Sequence, residues 1–306
     1  MKVIFLGTPE FAVTVLKALY SSDHEVVAVI SQPDRAKDRK GNPLPTPVKA
    51  FALQVGLPLY QFASIRNEGV DILKSFGADI MVTAAYGQIL TKEILDIAPY
   101  GVVNVHASLL PKYRGSAPVQ WAVINGEKQT GVTVMQTAIG VDDGDMLAAV
   151  KTEIGENETS GELMSRLSEM GALLLLDTLK GLESGAVKAV PQNDAESSRC
   201  RMLKKQDGHI DFGKSVKSIV CRCNGVTPSP GAFAFCGNDV WKIGKIAVGE
   251  SVGLAVGEVK AVNGKIEVGC LGGSVSLERL QLPGKKMLDA ADFLRGHKIA
   301  DGTRLS

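Results

Sequence analysis

A chain of 306 residues with 45% hydrophobic content is long enough for two compact domains and apolar enough to give each a core, which excludes a disordered or fibrous protein. The five cysteines (Cys200, Cys221, Cys223, Cys236, Cys270) are odd in number, confined to the last third and contain no C-x-x-C, so neither a disulfide framework nor a zinc site is indicated. The net charge of +1 conceals an asymmetry: residues 1–198 hold 17 Lys and Arg against 23 Asp and Glu, while residues 199–306 hold 17 against 10, and a basic C-terminal third points to a polyanionic partner.

The opening "MKVIFLGTPEF" is too short for a secretory signal, and no apolar run reaches the ~18 residues that span a membrane, so the expected location is cytoplasmic. "KVIFL" reads as a buried strand ending at Gly7; Ala12, Val15, Leu16, Leu19 and Tyr20 then recur at helical spacing. "EVVAVIS" (25–31), "DIMVTAAY" (79–86) and "GVVNVHA" (101–107) are further buried strands separated by helix-compatible sequence, which predicts a mostly parallel sheet covered on both faces. "GVTVMQT" (131–137) and a strand at about 147–154 follow, and "TSGE" (159–162) reads as a capping box opening a long helix through Leu163, Leu167, Met170 and Leu174. Residues 189–207 read as an extended linker. From about 208 onward, short β-prone pieces alternate with Gly- and Asn-containing turns and suggest a small barrel. The expected organisation is an α/β Rossmann-like domain over 1–188, the linker, and a C-terminal β-barrel over 208–306.

The segment "SQPDRAKDRKGNPLPTPVKA" (31–50) stands apart: four prolines mark it as exposed loop, and Arg35, Lys37, Arg39, Lys40 and Lys49 give it a net charge of +3. Other signals are negative. "LGTPEF" lacks the second and third glycines of a dinucleotide fingerprint, so a nicotinamide cofactor is disfavoured, and there is no P-loop. Ligands of open α/β sheets bind outside the C-terminal ends of the strands, where Asn104 and His106 fall. Two residues apart on one strand, they point to the same side. An amide N–H and an imidazole N–H together can hold an oxygen that becomes negative. An ordinary imidazole is only partly charged near neutrality, so a carboxylate is required beside it, with Asp142, Asp143 and Asp145 of "GVDDGDML" as candidates. No covalent nucleophile is evident, and a metal is not expected.

"FLGTPEFA", "SQPDR", "PTPVK", "AAYGQIL", "GVVNVHASLLPKYRGSAPVQWAVINGE", "TGVTVMQ", "DDGDML" and "SPGA", in this order, resemble the bacterial methionyl-tRNA formyltransferases of the formyl-tetrahydrofolate-dependent formyltransferase family along essentially the whole chain. In that family the catalytic asparagine, histidine and aspartate fall on Asn104, His106 and Asp142, the aspartate 36 residues after the histidine. The resemblance implies transfer of the formyl group of 10-formyl-tetrahydrofolate to the α-amine of methionine on initiator tRNA, by a monomer. It implies that Tyr86, Gly87, Gln88 and Leu90, with Ser108, Leu109, Leu110 and Pro111, wrap the folate. It further implies that the basic loop enters the tRNA acceptor stem with Arg39 foremost and Arg35, Lys37 and Lys40 in support, and that the C-terminal domain is an OB-like barrel gripping the tRNA backbone. Lys204, Lys205, Lys285 and Lys286 are its contact candidates. The chain departs from the family at Ala138 and Asp143 in "TAIGVDDG" and at "PSPGA" (228–232), where an aromatic residue is replaced. The alternatives are a formyltransferase acting on a small amine, such as glycinamide ribonucleotide or an amino sugar nucleotide, and a folate- or RNA-binding protein without catalysis.

Overall fold

The computed structural model describes residues 1–306 except 39, 251 and 252. Two units emerge: one of Met1–Gly115, Gly131–Thr152 and Met164–Arg199, the other of Ser116–Thr130, Glu153–Leu163 and Cys200–Ser306. Two segments inside the expected 1–188 span, 116–130 and 153–163, thus cluster with the second unit.

The first unit begins with β1 (Lys2–Gly7), whose residues 3–7 are all buried, as an apolar run covered on both faces requires. Helix α1 (Glu10–Tyr20) buries Ala12, Val15, Leu16 and Leu19, four of the five residues of the predicted stripe. Gly7 lets the helix return this close: a Cβ there would lie 2.6 Å from Ala12 Cβ and 2.7 Å from the Phe5 ring. The chain continues through β2 (Glu25–Ser31), α2 (Pro47–Val55), β3 (Leu59–Gln61), α3 (Ile65–Glu68), α4 (Val70–Ser75), β4 (Ile80–Ala84), α5 (Lys92–Leu95) and β5 (Val102–His106). After the two-residue β6 (Arg114–Gly115) and α6 (Pro118–Ile124) come β7 (Gln129–Gln136), β8 (Met146–Glu153) and the long α7 (Ser160–Glu183). The capping box closes as read: Glu162 N–H donates to Thr159 Oγ1 at 3.3 Å, and Thr159 N–H donates to Glu162 Oε2 at 2.9 Å.

The strands assemble in the order β3-β2-β1-β4-β5-β7-β8. Pairing is parallel from β3 to β5, but β7 runs antiparallel to β5. The chain steps outward from β1 to β3 and then resumes on the other side of β1 with β4, so the topological switch point lies between β1 and β4. There Thr8 Oγ1 donates to the Tyr86 carbonyl at 3.0 Å, tying together the loops that leave these two strands. One face of the sheet packs Ile4, Leu6, Ile30, Met81 and Val102 against Ile65, Leu73, Leu90 and Ile94.

After β9 (Arg199–Cys200), which spans the boundary between the units, the second unit's later part contains α8 (Val216–Gly225), β10 (Ala232–Cys236), β11 (Asp239–Val248), β12 (Val259–Val262), β13 (Lys265–Cys270), β14 (Gly273–Gln281), β15 (Leu288–Asp289) and α9 (Ala290–Gly296). Strands β10 to β14 form an antiparallel sheet in the order β10-β11-β14-β13-β12, with β15 on β14. The ends of that path are joined by the last residues of the chain. Thr303 and Leu305 bond Val259 and Gly257 beside β12, while Ser306 exchanges two backbone hydrogen bonds with Phe235 of β10. Ladder and tail together enclose one core that includes Trp241, Ile243, Ile266, Val268, Leu277 and Leu305, which is the barrel the strand spacing predicts. Helix α8, which the strand alternation does not announce, adds Ile219, Val220 and Cys223 to that core behind a Ser215 cap.

Candidate active site

Asn104 and His106 are the third and last residues of β5, two apart along the strand. Thr83 lies opposite Asn104 in the neighbouring β4, and its single hydroxyl proton is shared between Asn104 Oδ1 at 2.9 Å and the Val103 carbonyl at 3.3 Å. With its oxygen side held by Thr83, the Asn104 amide has its two N–H donors to offer a ligand.

His106 is 6% exposed. Its Nε2 lies 2.9 Å from the Tyr113 carbonyl; because a carbonyl only accepts, the proton of that contact sits on Nε2. Its Nδ1 faces Asp142 Oδ2 at 3.7 Å. Of the three acidic candidates, Asp142 is the one brought to the imidazole. Asp143 is exposed and folds its carboxylate over Gly140, where a Cβ would have no room. Asp142 Oδ2 also accepts the Gly115 N–H at 2.8 Å. Among the described residues, no three His, Cys, Asp or Glu side chains are grouped so as to hold a metal ion.

The segment 108–111 is pinned by β7. Thr133, fully buried, donates to the Ser108 carbonyl at 2.7 Å and accepts the Leu110 N–H at 3.2 Å. Ser108 spends its own hydroxyl on the Lys112 carbonyl at 2.7 Å, leaving the half-buried Leu109 and Pro111 as the faces open to a ligand. In the loop after β4, Tyr86 and Leu90 turn into the core. Gln88 accepts from Ile65 N–H at 2.8 Å and donates to the Phe62 carbonyl at 3.0 Å. Ala85 and Gly87, both exposed and in the left-handed region at φ +47° and +89°, and the 76% exposed Ile89 are what this loop presents to solvent. Ile89 is a residue the sequence reading does not select.

The base of the loop 31–50 is clasped. Lys49 Nζ donates to Asp34 Oδ2 at 2.6 Å and to Gln61 Oε1 at 2.9 Å, and Gln61 Nε2 donates to Asp34 Oδ1 at 2.9 Å. Pro47 opens α2 with Thr46 as its cap, so the end of this loop is the first turn of a helix, where proline costs no hydrogen bond. Arg35, Lys37 and Lys40 remain exposed, whereas Arg39 lies outside the described residues. The Lys49 hydrogen bond, first among several, holds the Asp34 carboxyl below its ordinary value. The clasp is therefore complete above the ordinary carboxylate range and is lost as pH falls through the depressed value. Lys49→Met is expected to speed tryptic cleavage at Arg35, Lys37 and Lys40 by about 3–10-fold at pH 7, since a partly exposed charged hydrogen bond is worth on the order of 1 kcal/mol. Unchanged cleavage would mean that the clasp does not hold the loop.

In the second unit Lys204, Lys205, Lys285 and Lys286 are all exposed. Lys285 lines a cleft of about 360 Å³ together with Lys242, Gln281 and Val240; the cleft contains none of Asn104, His106 and Asp142. Beside Lys204, Arg201 forms two bonds to Asp207, at 2.8 and 2.6 Å, and this guanidinium chiefly holds the Asp207 carboxyl down at about 2. Arg201 also stacks on Trp121 at 5.1 Å, with Arg222 at 5.9 Å, a basic and aromatic group that no linear motif signals.

The formyl transferase family matches residues 1–179, and the formyl transferase C-terminal domain matches residues 202–298. The methionyl-tRNA formyltransferase of Geotalea daltonii is 44% identical over 306 residues, covering all of this chain and 98% of that protein. The chain belongs to the methionyl-tRNA formyltransferase family. Another family member, the methionyl-tRNA formyltransferase of Alkaliphilus metalliredigens, is 46% identical over 309 residues, with 100% of this chain and 98% of that protein covered.

Solved structures extend the likeness of this formyltransferase in fold alone. An N-formyltransferase from Helicobacter canadensis in complex with folinic acid and dTDP-3-aminofucose superposes with a TM-score of 0.69 at 17% identity, over 90% of this chain and 98% of that one. HypX from Aquifex aeolicus in complex with tetrahydrofolic acid gives 0.66 at 16% identity, over 98% of this chain and 50% of that one. Among the described residues of the formyltransferase, no helix is long and apolar enough to cross a membrane.

Proposed function

We propose that the protein transfers the formyl group of 10-formyl-tetrahydrofolate to the α-amine of methionyl initiator tRNA, with Asn104, His106 and Asp142 as the catalytic residues. The observation that carries the reading is the donor set: an amide whose oxygen is occupied by Thr83, beside an imidazole that faces Asp142, in a chain 44% identical end to end to a methionyl-tRNA formyltransferase. Such a set fits a formyl donor, because it supplies N–H groups where a carbonyl oxygen gains charge.

When bound, 10-formyl-tetrahydrofolate supplies an electrophilic formyl carbon. Asn104 donates an amide N–H to the formyl oxygen as the methionyl amine adds and that oxygen becomes negative. His106 trades the Tyr113 carbonyl for a reacting group and carries the proton that the departing nitrogen takes up, while Asp142 orients the ring and stabilises its charge. The attacking amine gives up one proton and the leaving nitrogen gains one, so the residues move a proton without consuming it. Leu109, Pro111 and the main chain around Gly87 line the folate. Arg35, Lys37, Arg39 and Lys40 of the clasped loop, with Lys204, Lys205, Lys285 and Lys286, meet tRNA phosphates.

The test offers purified protein and 10-formyl-tetrahydrofolate to methionyl initiator tRNA, methionyl elongator tRNA or glycinamide ribonucleotide. Formylation of the initiator is expected at least ~100-fold faster than of either competitor. Its KM should climb steeply between about 50 and 200 mM salt, as phosphate contacts dictate. Formylation of the small amine and not of the tRNA would overturn the reading.

A further inference from the structure

Asp142 is the catalytic candidate whose placement its own sequence secures least. It is a non-glycine residue at φ +52° in a Gly-flanked loop, and such a conformation costs about 1–3 kcal/mol unless the surroundings over-determine it. The surroundings do so through a closed ring of hydrogen bonds. Gln192 Nε2 donates to the main-chain oxygens of Asp142 at 2.9 Å and Gly144 at 2.7 Å. Gln192 Oε1 accepts from Arg114 Nε at 2.9 Å, and the residue after Arg114 is Gly115, whose N–H holds the Asp142 carboxylate at 2.8 Å. Arg114 is only 4% exposed and its terminal nitrogen donates to Asp194 Oδ1 at 2.8 Å, so the guanidinium is fixed at both ends.

One ring therefore fixes both the backbone and the carboxylate of Asp142. Its outer half, Gln192 and Asp194, comes from the segment that the sequence presents as a linker. We infer that Gln192, backed by Arg114, is a positioning residue for Asp142, one that touches no substrate and sets the distance between the carboxylate and His106. The inference rests on the proposed pairing of Asp142 with His106. Its physical basis is that a carboxylate displaced by about 1 Å from a reacting constellation can cost ~100-fold in rate.

The experiment compares Gln192→Leu, which removes all three bonds at similar volume, with Gln192→Glu, which keeps the acceptor for Arg114 but loses both N–H donors. Single-turnover formylation of methionyl initiator tRNA is followed in the native background and in Asp142→Asn. Both Gln192 variants are expected to lose about 10–100-fold in rate, with KM for either substrate changed less than ~2-fold. In the Asp142→Asn background Gln192→Leu should add less than ~2-fold, because the residue acts through a carboxylate already removed. An equal loss in both backgrounds would reduce Gln192 to general structural support and overturn the inference, as would an unchanged rate in Gln192→Leu. If Asp142→Asn alone retains full rate, the assignment of Asp142 fails and the inference falls with it, an outcome distinct from the other two.

Discussion

His106→Ala is expected to lower kcat by about 10²–10⁴-fold while leaving the affinity for the formyl donor and for tRNA within ~2-fold. The argument is geometric. His106 is the one imidazole at the C-terminal ends of the first unit's parallel strands, its Nδ1 is 3.7 Å from Asp142, and its Nε2 proton rests on a main-chain carbonyl from which it can be withdrawn. Removing the ring deletes the proton carrier and leaves the Asp142 carboxylate satisfied by Gly115 N–H, so the loop has no cause to collapse. The loss should therefore appear in kcat and kcat/KM equally, the signature of an interaction made in the transition state. A variant that turns over normally at saturation but binds substrate poorly would assign His106 to binding instead of chemistry.

Asn104→Asp is expected to cost about 10²–10³-fold in kcat, comparable to deleting a donor from an oxyanion site. The substitution is nearly isosteric, and the Thr83 hydroxyl, 2.9 Å from Oδ1, can donate to a carboxylate as readily as to an amide. Only the N–H donors are exchanged for an acceptor, which now repels the oxygen it is meant to hold. Stopped-flow or quench measurement of a single turnover reads this directly. A loss under about 5-fold would sink the role assigned to the amide, since a negative group beside a developing oxyanion cannot be neutral in effect.

Much of the fold is legible in the residues because the relevant forces are local. The apolar runs of β1, β2, β4 and β5, the stripe of α1 and the Thr159–Glu162 capping box each satisfy their own hydrogen bonds or bury their own faces. Other features depend on partners distant in sequence. Nothing in "GVTVMQT" shows that its strand runs antiparallel to β5, and nothing in "SVKSIVCRC" shows that a helix will fill the barrel core. The barrel's closure by residues 303–306 is likewise a matter of which strand edges meet.

The candidate site divides along the same line. By itself the sequence determined that an amide and an imidazole share one side of a strand end, because the pleat has a period of two, and that an acidic Gly-flanked loop follows. Only the tertiary structure decided which carboxylate reaches the ring, since Asp142 and Asp143 are neighbours in sequence and differ solely in where the loop turns them. It also decided that Lys49, one of five basic residues in an exposed loop, is spent on Asp34, and that Gln192 of the presumed linker grips the Asp142 loop. The physical reason is common to all three. A side chain's chemistry is fixed by its type, but its partner is fixed by the packing that brings two distant segments within hydrogen-bonding distance.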